Sequence, residues 1–400
     1  MFNKMTERKN NLLLIAVGII CISFILRGTI TGVGSLVGDI KADLDISNGV
    51  AGFLTTIPLL AFAAVSPFVS GFSKKIGMGR LMMIGLIMVI IGVAIRSYTN
   101  AIGVFVGTAI IGSGIAMGNV LLPAMIKLRF PLKIGLMTSL YTTFMASFAG
   151  IAMGFSVPLA DGLGIGWRNA LAIWGLVALV VLVVWLPQCG NQDNWGKVAN
   201  FTKKEKSGKK VYKSSLAWAV TFFMGLQSIL FYSFVAWLPT ILVAKGYAPD
   251  TAGYYALAYQ VISIPASFIT PILCDRFKDQ RVLVTSFAAV YVIGMFLFLI
   301  ADSGILLGLS IVLTGIGSGS AISFAMAFIA LRAGNPNQAA ELSGMAQSLG
   351  YLLAAMAPSG FGYIFDMTQT WTVPMIMFVI IAFLWLLCGL KAGANKKLFE

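Results

Sequence analysis

Arg27, Thr31 and Gly34 recur at i, i+4 and i+7 and therefore share one face of a helix. A guanidinium beside a hydroxyl and a bare patch of backbone can grip a carboxylate-like or linear anion through directed donors. Arg27 sits inside an apolar run that begins at Leu12 and resumes beyond the arginine through Val37. At ~1.5 Å per residue it lies about 22 Å into that run, near the middle of a hydrocarbon layer ~30 Å thick. An unpaired charge at that depth costs at least ~2.5–3.5 kcal/mol, and the guanidinium does not escape by deprotonating. No Asp, Glu or His stands at comparable depth in any other apolar run. A lone buried cation without a counter-ion leaves a place for a small anionic or strongly polar ligand. The alternative is an Arg27 satisfied by backbone carbonyls. Snorkelling is disfavoured, because the side chain has no short exit to water.

Other polar and aromatic residues fall where they can complete such a shell. Asn119 lies in a stretch marked by Gly112, Gly114, Gly118 and Pro123, either as a ligand donor or as an interhelical hydrogen bond. Thr138, Tyr141, Thr142 and Met145 form one helical stripe, from which Tyr141 is the candidate. Thr142 is expected to bond the carbonyl four residues back. Gln227 and Phe231, Tyr259 and Gln260, and Gln347 and Tyr351 are the candidates nearer the C-terminus, the last two spaced i, i+4. Amide and phenol donors add no counter-charge that would release an anion. Aromatic stripes at this spacing also serve simple packing, as Ser318, Ser320 and Ser323 are expected to do. No nucleophile–base set and no metal spacing is present, and Cys21, Cys189, Cys274 and Cys388 are scattered. The expectation is no enzyme, no cofactor and no metal.

The elements that hold these residues follow from composition. With 58% apolar and 10% charged residues in 400, the chain is not a water-soluble globule. Twelve apolar segments are each long enough to span a bilayer as an α-helix: 12–38, 49–73, 80–97, 102–128, 134–160, 168–187, 215–243, 251–275, 282–300, 304–331, 340–366 and 372–391. The fold class is an all-α membrane protein, since the short alternating segments of a β-barrel are absent. The basic start of the chain imitates a secretory signal, but no small-x-small site follows and the segment runs on as a span, so an uncleaved first helix is expected.

With both termini cytoplasmic, loops and tails on that side hold 23 of the 28 Lys and Arg, including seven lysines from Lys197 to Lys213. The other side holds Lys41, Arg96, Arg168 and Lys245. This is the positive-inside asymmetry, which places a multi-pass protein in the inner or plasma membrane. The net charge of +14 then reports orientation and not nucleic-acid binding. Gln188–Lys213 divides six spans from six: 1–187 as an N-terminal half, 188–213 as a cytoplasmic linker and 214–400 as a C-terminal half. The halves repeat. Gly112-Ser113-Gly114 precedes Lys127 by the interval at which Gly317-Ser318-Gly319 precedes Arg332, and Lys74-Lys75 before Arg80 matches Asp275-Arg276 before Arg281. Two parallel six-helix halves with a midplane site between them is the major facilitator arrangement.

Several stretches carry a more specific likeness: Leu26-Arg27-Gly28-Thr29-Ile30-Thr31-Gly32-Val33-Gly34, Leu54-Thr55-Thr56-Ile57-Pro58, Gly118-Asn119 through Pro123, Gly166-Trp167-Arg168, Trp237-Leu238-Pro239 and Leu342 through Ser348. Together they resemble the cyanate/2-nitroimidazole permease (CynX/NimT) family of the major facilitator superfamily. Ile25 and Gly28 stand where that family tends to carry Asn and Pro, and Lys74 where the general loop motif carries Asp. The resemblance implies transport of a small anionic or polar compound, cyanate- or nitroimidazole-like. Lys74, Asp275 and Arg276 would then belong to cytoplasmic loops that pair in one state and separate in another, with Glu341 meeting Arg129 or Arg332. Exposed pairs of this kind are worth ~0–1 kcal/mol each, so they bias a conformational equilibrium without locking it.

The expected partners are a small-molecule substrate and the lipid bilayer, with the chain acting as a monomer by alternating access. Without a titratable group at the midplane, facilitated diffusion or anion exchange is favoured over proton symport. Efflux of a flat apolar compound, with Arg27 structural, is the competing reading, motivated by 19 Met, 28 Phe, 11 Tyr and 8 Trp. A non-transporting membrane sensor is a third, for which no large soluble loop is available.

Overall fold

The computed structural model describes residues 2–46, 48–190, 210–301 and 303–399. Most of the expected linker, 191–209, and five of its seven lysines lie outside the described residues. Among the described residues thirteen α-helices follow one another: α1 Phe2–Ser35, α2 Val37–Leu44, α3 Asn48–Ile76, α4 Met78–Tyr98, α5 Ala101–Arg129, α6 Ile134–Val157, α7 Gly166–Gly190, α8 Ser215–Ala244, α9 Pro249–Arg276, α10 Arg281–Ile300, α11 Gly304–Arg332, α12 Pro336–Thr368 and α13 Thr372–Ala392. All but the eight-residue α2 are long and apolar enough to cross a membrane. No strand occurs among the described residues. The first expected segment, 12–38, ends earlier: α1 stops at Ser35, and after a turn at Leu36 the amphipathic α2 begins.

The chain forms two compact units. One comprises Met1–Leu132, Phe144–Gly208 and Asn335–Gly344; the other comprises Lys133–Thr143, Lys209–Gly334 and Met345–Glu400. In the first, α5 is the most buried span at 61%, and in the second α11 reaches the same 61%, so each is the central helix of its unit. Glycines let the neighbours close on them. A Cβ at Gly114 would meet the Gly85 carbonyl of α4, and one at Gly112 would lie 2.8 Å from Ala61 of α3. A Cβ at Gly317 would overlap Tyr291 of α10, while one at Gly315 would lie 3.0 Å from Ile262 of α9. Contacts of this closeness replace the hydrophobic driving force that lipid does not supply.

These contacts correct the repeat register. Gly112 and Gly315 both face the helix two before their own, and Gly114 and Gly317 both face the helix immediately before, a separation of 203 residues where the glycine motif had been aligned at 205. The helix starts agree, because Asn100 caps α5 by accepting from the Gly103 amide and Ser303 caps α11 by accepting from the Leu306 amide. So do the ends, which makes Arg129 and not Lys127 the counterpart of Arg332.

Two basic residues assigned to loops are buried. Arg332 is 3% exposed; its Nε donates to the Ala392 carbonyl at 2.8 Å, and its Nη2 donates to the Gln280 side chain and the Gly393 carbonyl. It ties the ends of α11 and α13 to the start of α10. Arg96 is 1% exposed within the last turn of α4. Arg168 and Lys245 do lie at helix ends. Arg168 pairs with Asp43 at 2.9 Å and donates to the Ser97 and Thr99 carbonyls, and Lys245 donates to the Ala301 carbonyl at 3.1 Å.

Candidate functional site

In the first unit, Arg27 is half-buried in the membrane portion of α1, and Gly34, two turns further on, is exposed with open space beside its backbone. Arg27 and Gly34 thus define a face that is only partly covered. Thr31 lies on it, but its hydroxyl is within reach of the Arg27 carbonyl at 3.1 Å and the Ala149 carbonyl at 3.2 Å. One proton serves these acceptors, so Thr31 joins α1 to α6 and has no donor left for an anion. Ser35 adds a second such contact, donating to the Met153 carbonyl at 3.0 Å.

One turn before Arg27, Phe24 stacks on Phe148 of α6, with centroids 4.0 Å apart and ring planes 7° from parallel, and tilts against Phe144 at 5.5 Å. Phe148 meets the edge of Trp174 from α7, whose ring covers Gly28 so closely that any side chain there would overlap it. The aromatic layer beside Arg27 was not singled out in the sequence. Its signal was the spacing of Phe144 and Phe148 at i, i+4, which reads equally as packing.

Arg96 was missed as well, because it stands one residue from the end of its expected segment, 80–97. Its Nη1 donates to the Thr29 carbonyl of α1 at 2.7 Å. Asn119, in α5, is buried, and its carbonyl accepts at 3.5 Å from Ser343.

In the second unit the close crossing of α8 and α12, where Gly225 and Gly350 let backbone meet backbone, sets Gln227, Gln347 and Tyr351 in neighbouring turns. Gln227 donates to Ser228 Oγ at 2.6 Å. Gln347 is fully buried. Phe231 meets Tyr232 edge to face, and Tyr232 meets Tyr351 in the same way at 6.3 Å, which links α8 to α12. Tyr141, at the start of α6, is 2% exposed, and its hydroxyl has no hydrogen-bond partner among the described residues. Tyr259 is 1% exposed and tilts against Phe234, which also packs on Phe298 and Phe378, so its ring belongs to an aromatic core. Gln260, the next residue, is half-buried. Thr142 bonds the Thr138 carbonyl at 2.9 Å, as its type and position predict. Ser323 donates to the Ser267 carbonyl at 3.0 Å, a packing contact between α9 and α11.

The expected state-controlling residues find different partners. Glu341 pairs with Lys74, not with Arg129 or Arg332. Asp275 pairs with no cation among the described residues; it accepts from the Gly135 amide at 2.8 Å and the Leu136 amide at 3.3 Å. Arg276 is exposed beyond the end of that contact. An apolar groove of about 450 Å³ between α4 and α7, lined by Ile90, Val93, Tyr98, Asn169, Gly175 and Leu176 among others, contains none of the expected site residues. The described residues hold no cluster of potential metal ligands.

Comparison with known proteins points one way. The model for "Major Facilitator Superfamily" matches residues 19–358. The chain is 46% identical to "Uncharacterized transporter YycB" of Bacillus subtilis (strain 168), over 96% of this chain and 94% of the relative. It is 38% identical to "2-nitroimidazole transporter" of Escherichia coli (strain K12), over 98% of both. The solved proton:xylose symporter XylE, bound to 6-bromo-6-deoxy-D-glucose, superposes with a TM-score of 0.78 at 15% identity, covering 98% of each chain. At that identity the likeness is one of fold.

Proposed function

This chain belongs to the Major Facilitator Superfamily and is a multi-pass membrane transporter, and from that premise we propose that it carries a small anionic or polar solute, nitroimidazole- or cyanate-like, with Arg27 as the solute's counter-charge. The observation that carries this reading is a half-buried guanidinium inside the first span, Leu12–Ser35, on the helix face that also carries the exposed Gly34. Within the twelve spans every Asp and Glu stands near a helix end. Bound solute neutralises Arg27 and lowers the cost of closing the protein around it, which couples binding to alternating access. The same lack of a mid-depth acid favours uniport or anion exchange over proton symport. Gln227, Gln347 and Tyr351 are proposed as further polar contacts, with Asn119, Tyr141 and Gln260 as additional candidates. Phe231 is proposed to shape the surrounding wall, whereas Tyr259, packed in the aromatic core, is not. We place the protein in the inner or plasma membrane with both termini cytoplasmic, on the distribution of its basic residues, and propose a monomer, since each two-half bundle of this kind carries its own midplane site.

A second reading, in which a flat heteroaromatic solute is held by rings and Arg27 is structural, is favoured by the Phe24–Phe148 stack and by the relative named for 2-nitroimidazole. Uptake into proteoliposomes of a panel of small anions, 2-nitroimidazole and a cationic dye separates the two. Saturable anion uptake that disappears in Arg27→Gln supports the first reading. Uptake unchanged by that substitution sinks it and leaves the second.

A further inference from the structure

Among the described residues Arg96 has one hydrogen bond, to the Thr29 carbonyl, although it is 1% exposed. Its Nε and Nη2 meet no acceptor among the described residues, and none of the ion pairs there includes it. Burying a charged guanidinium with most of its donors unspent is costly, and a neutral donor would cap one carbonyl at far lower cost. The fold nevertheless draws it inward. At the α4–α5 crossing a Cβ on Gly107 would come within 2.5 Å of the Arg96 backbone nitrogen, so only glycine there admits this approach. Helix geometry locates its charge relative to Arg27. Thr29 follows Arg27 by two residues, about 3 Å along the axis and about 200° around it, so Arg96 reaches α1 from the side opposite Arg27 at nearly the same depth. Two arginines thus meet α1 within about one helical turn of each other, and no acidic residue of the first unit's spans stands at that level.

We propose that Arg96 is a positioning residue for the anion site: it pins α1 at Thr29 so that Arg27 keeps to the open face, and its charge, acting through the helix, favours anions over neutral solutes. This rests on the reading of Arg27 as the solute's counter-charge. The two guanidiniums are on the order of 10 Å apart, a separation at which a unit charge in a protein interior changes anion binding by about tenfold.

The test compares initial uptake rates of cyanate, nitrite and benzoate with those of benzamide, a neutral analogue of benzoate, in proteoliposomes of wild type, Arg96→Gln, Arg96→Lys and Arg27→Gln. For the anions the wild type takes up, Arg96→Gln is expected to raise KM by about tenfold with little change in kcat, and to leave benzamide uptake within about twofold. Arg96→Lys keeps the charge and is expected to keep the anion KM within about threefold. Equal losses for anions and benzamide in Arg96→Gln would show a merely structural clamp and overturn the proposal. Anion uptake lost in Arg27→Gln but unaltered in Arg96→Gln overturns it alone; no anion uptake by wild type, or uptake indifferent to Arg27→Gln, overturns it together with the reading it rests on. Should Arg96→Gln fail to accumulate in the membrane, Arg96→Lys carries the test, since a loss shared by anions and benzamide in that variant also overturns the proposal.

Discussion

The start of α6 on α9 and the start of α12 on α3 occupy equivalent places in the repeat, yet they are held by opposite chemistry. At α6 the Asp275 carboxylate accepts directly from the Gly135 and Leu136 amides, and the Ser139 hydroxyl donates to the Phe268 carbonyl at 2.6 Å. At α12 the contact is a side-chain ion pair, Lys74 with Glu341, both about a third or more exposed. The reason lies in the residue preceding each helix. Asn335 caps α12, accepting from the Gln338 amide at 2.9 Å, and Pro336 follows in the first turn, where its missing amide costs nothing. Lys133 precedes α6, and a lysine has no acceptor, so the unpaired amides of α6 take a carboxylate from another helix. A helix that caps itself leaves the facing position open to a lysine; one that does not demands an acid there.

The largest expected effect breaks the tighter contact. Gly135→Ala drives a methyl group into the Pro271 carbonyl and the Asp275 carboxylate, where backbone blocks relief. It should destabilise the protein by ~1–3 kcal/mol, read as a lowered melting temperature in detergent. The matching substitution, Gly344→Ala, meets the Ser66 carbonyl at 2.7 Å and should cost less. A larger loss at Gly344 would reverse the ranking of the two contacts.

Removing the borrowed cap, Asp275→Ala, should cost ~0.5–2 kcal/mol, the range for loss of an N-cap. Adding Lys133→Asp to that variant supplies a cap from within α6 and should restore much of the loss. If the double variant is no more stable than Asp275→Ala, the capping account of the asymmetry is wrong.

The smallest effect falls on the ion pair. Lys74→Ala or Glu341→Ala should cost ~0–1 kcal/mol, fading in high salt because both groups are exposed. The exchange Lys74→Glu with Glu341→Lys should return stability to near the original. A salt-insensitive loss above ~2 kcal/mol for either single variant would give this pair a structural weight that its exposure argues against.

Much of this was legible in the residues themselves. All twelve spans were readable, because a chain must satisfy its own backbone in lipid and run lengths near 20 apolar residues leave little choice. Thr142 bonding its own helix and Ser323 serving packing followed from residue type. The glycine motif disclosed a repeat but not its register, since which glycine faces which neighbour depends on how each helix is rotated. Glu341 was matched with Arg129 or Arg332, and the positive-inside pattern, which puts Lys74 at the same membrane surface, does not rank them. Arg96 and Arg332 were counted with the loop charges because Arg96 stands at the edge of its span, 80–97, and Arg332 just beyond 304–331, where hydropathy does not tell a buried arginine from an exposed one.

From its sequence alone this protein is a twelve-span helical membrane protein with a cation at mid-depth in its first span, because spacing along one chain and the cost of charge in hydrocarbon are local quantities. Only the tertiary structure decided that Thr31 spends its proton on α6, that Asp275 caps a helix it does not belong to, and that a second buried guanidinium lies across α1 from Arg27. Each of these depends on a partner more than sixty residues away and on a rotation of about 100° per residue about a helix axis, which sequence spacing does not encode.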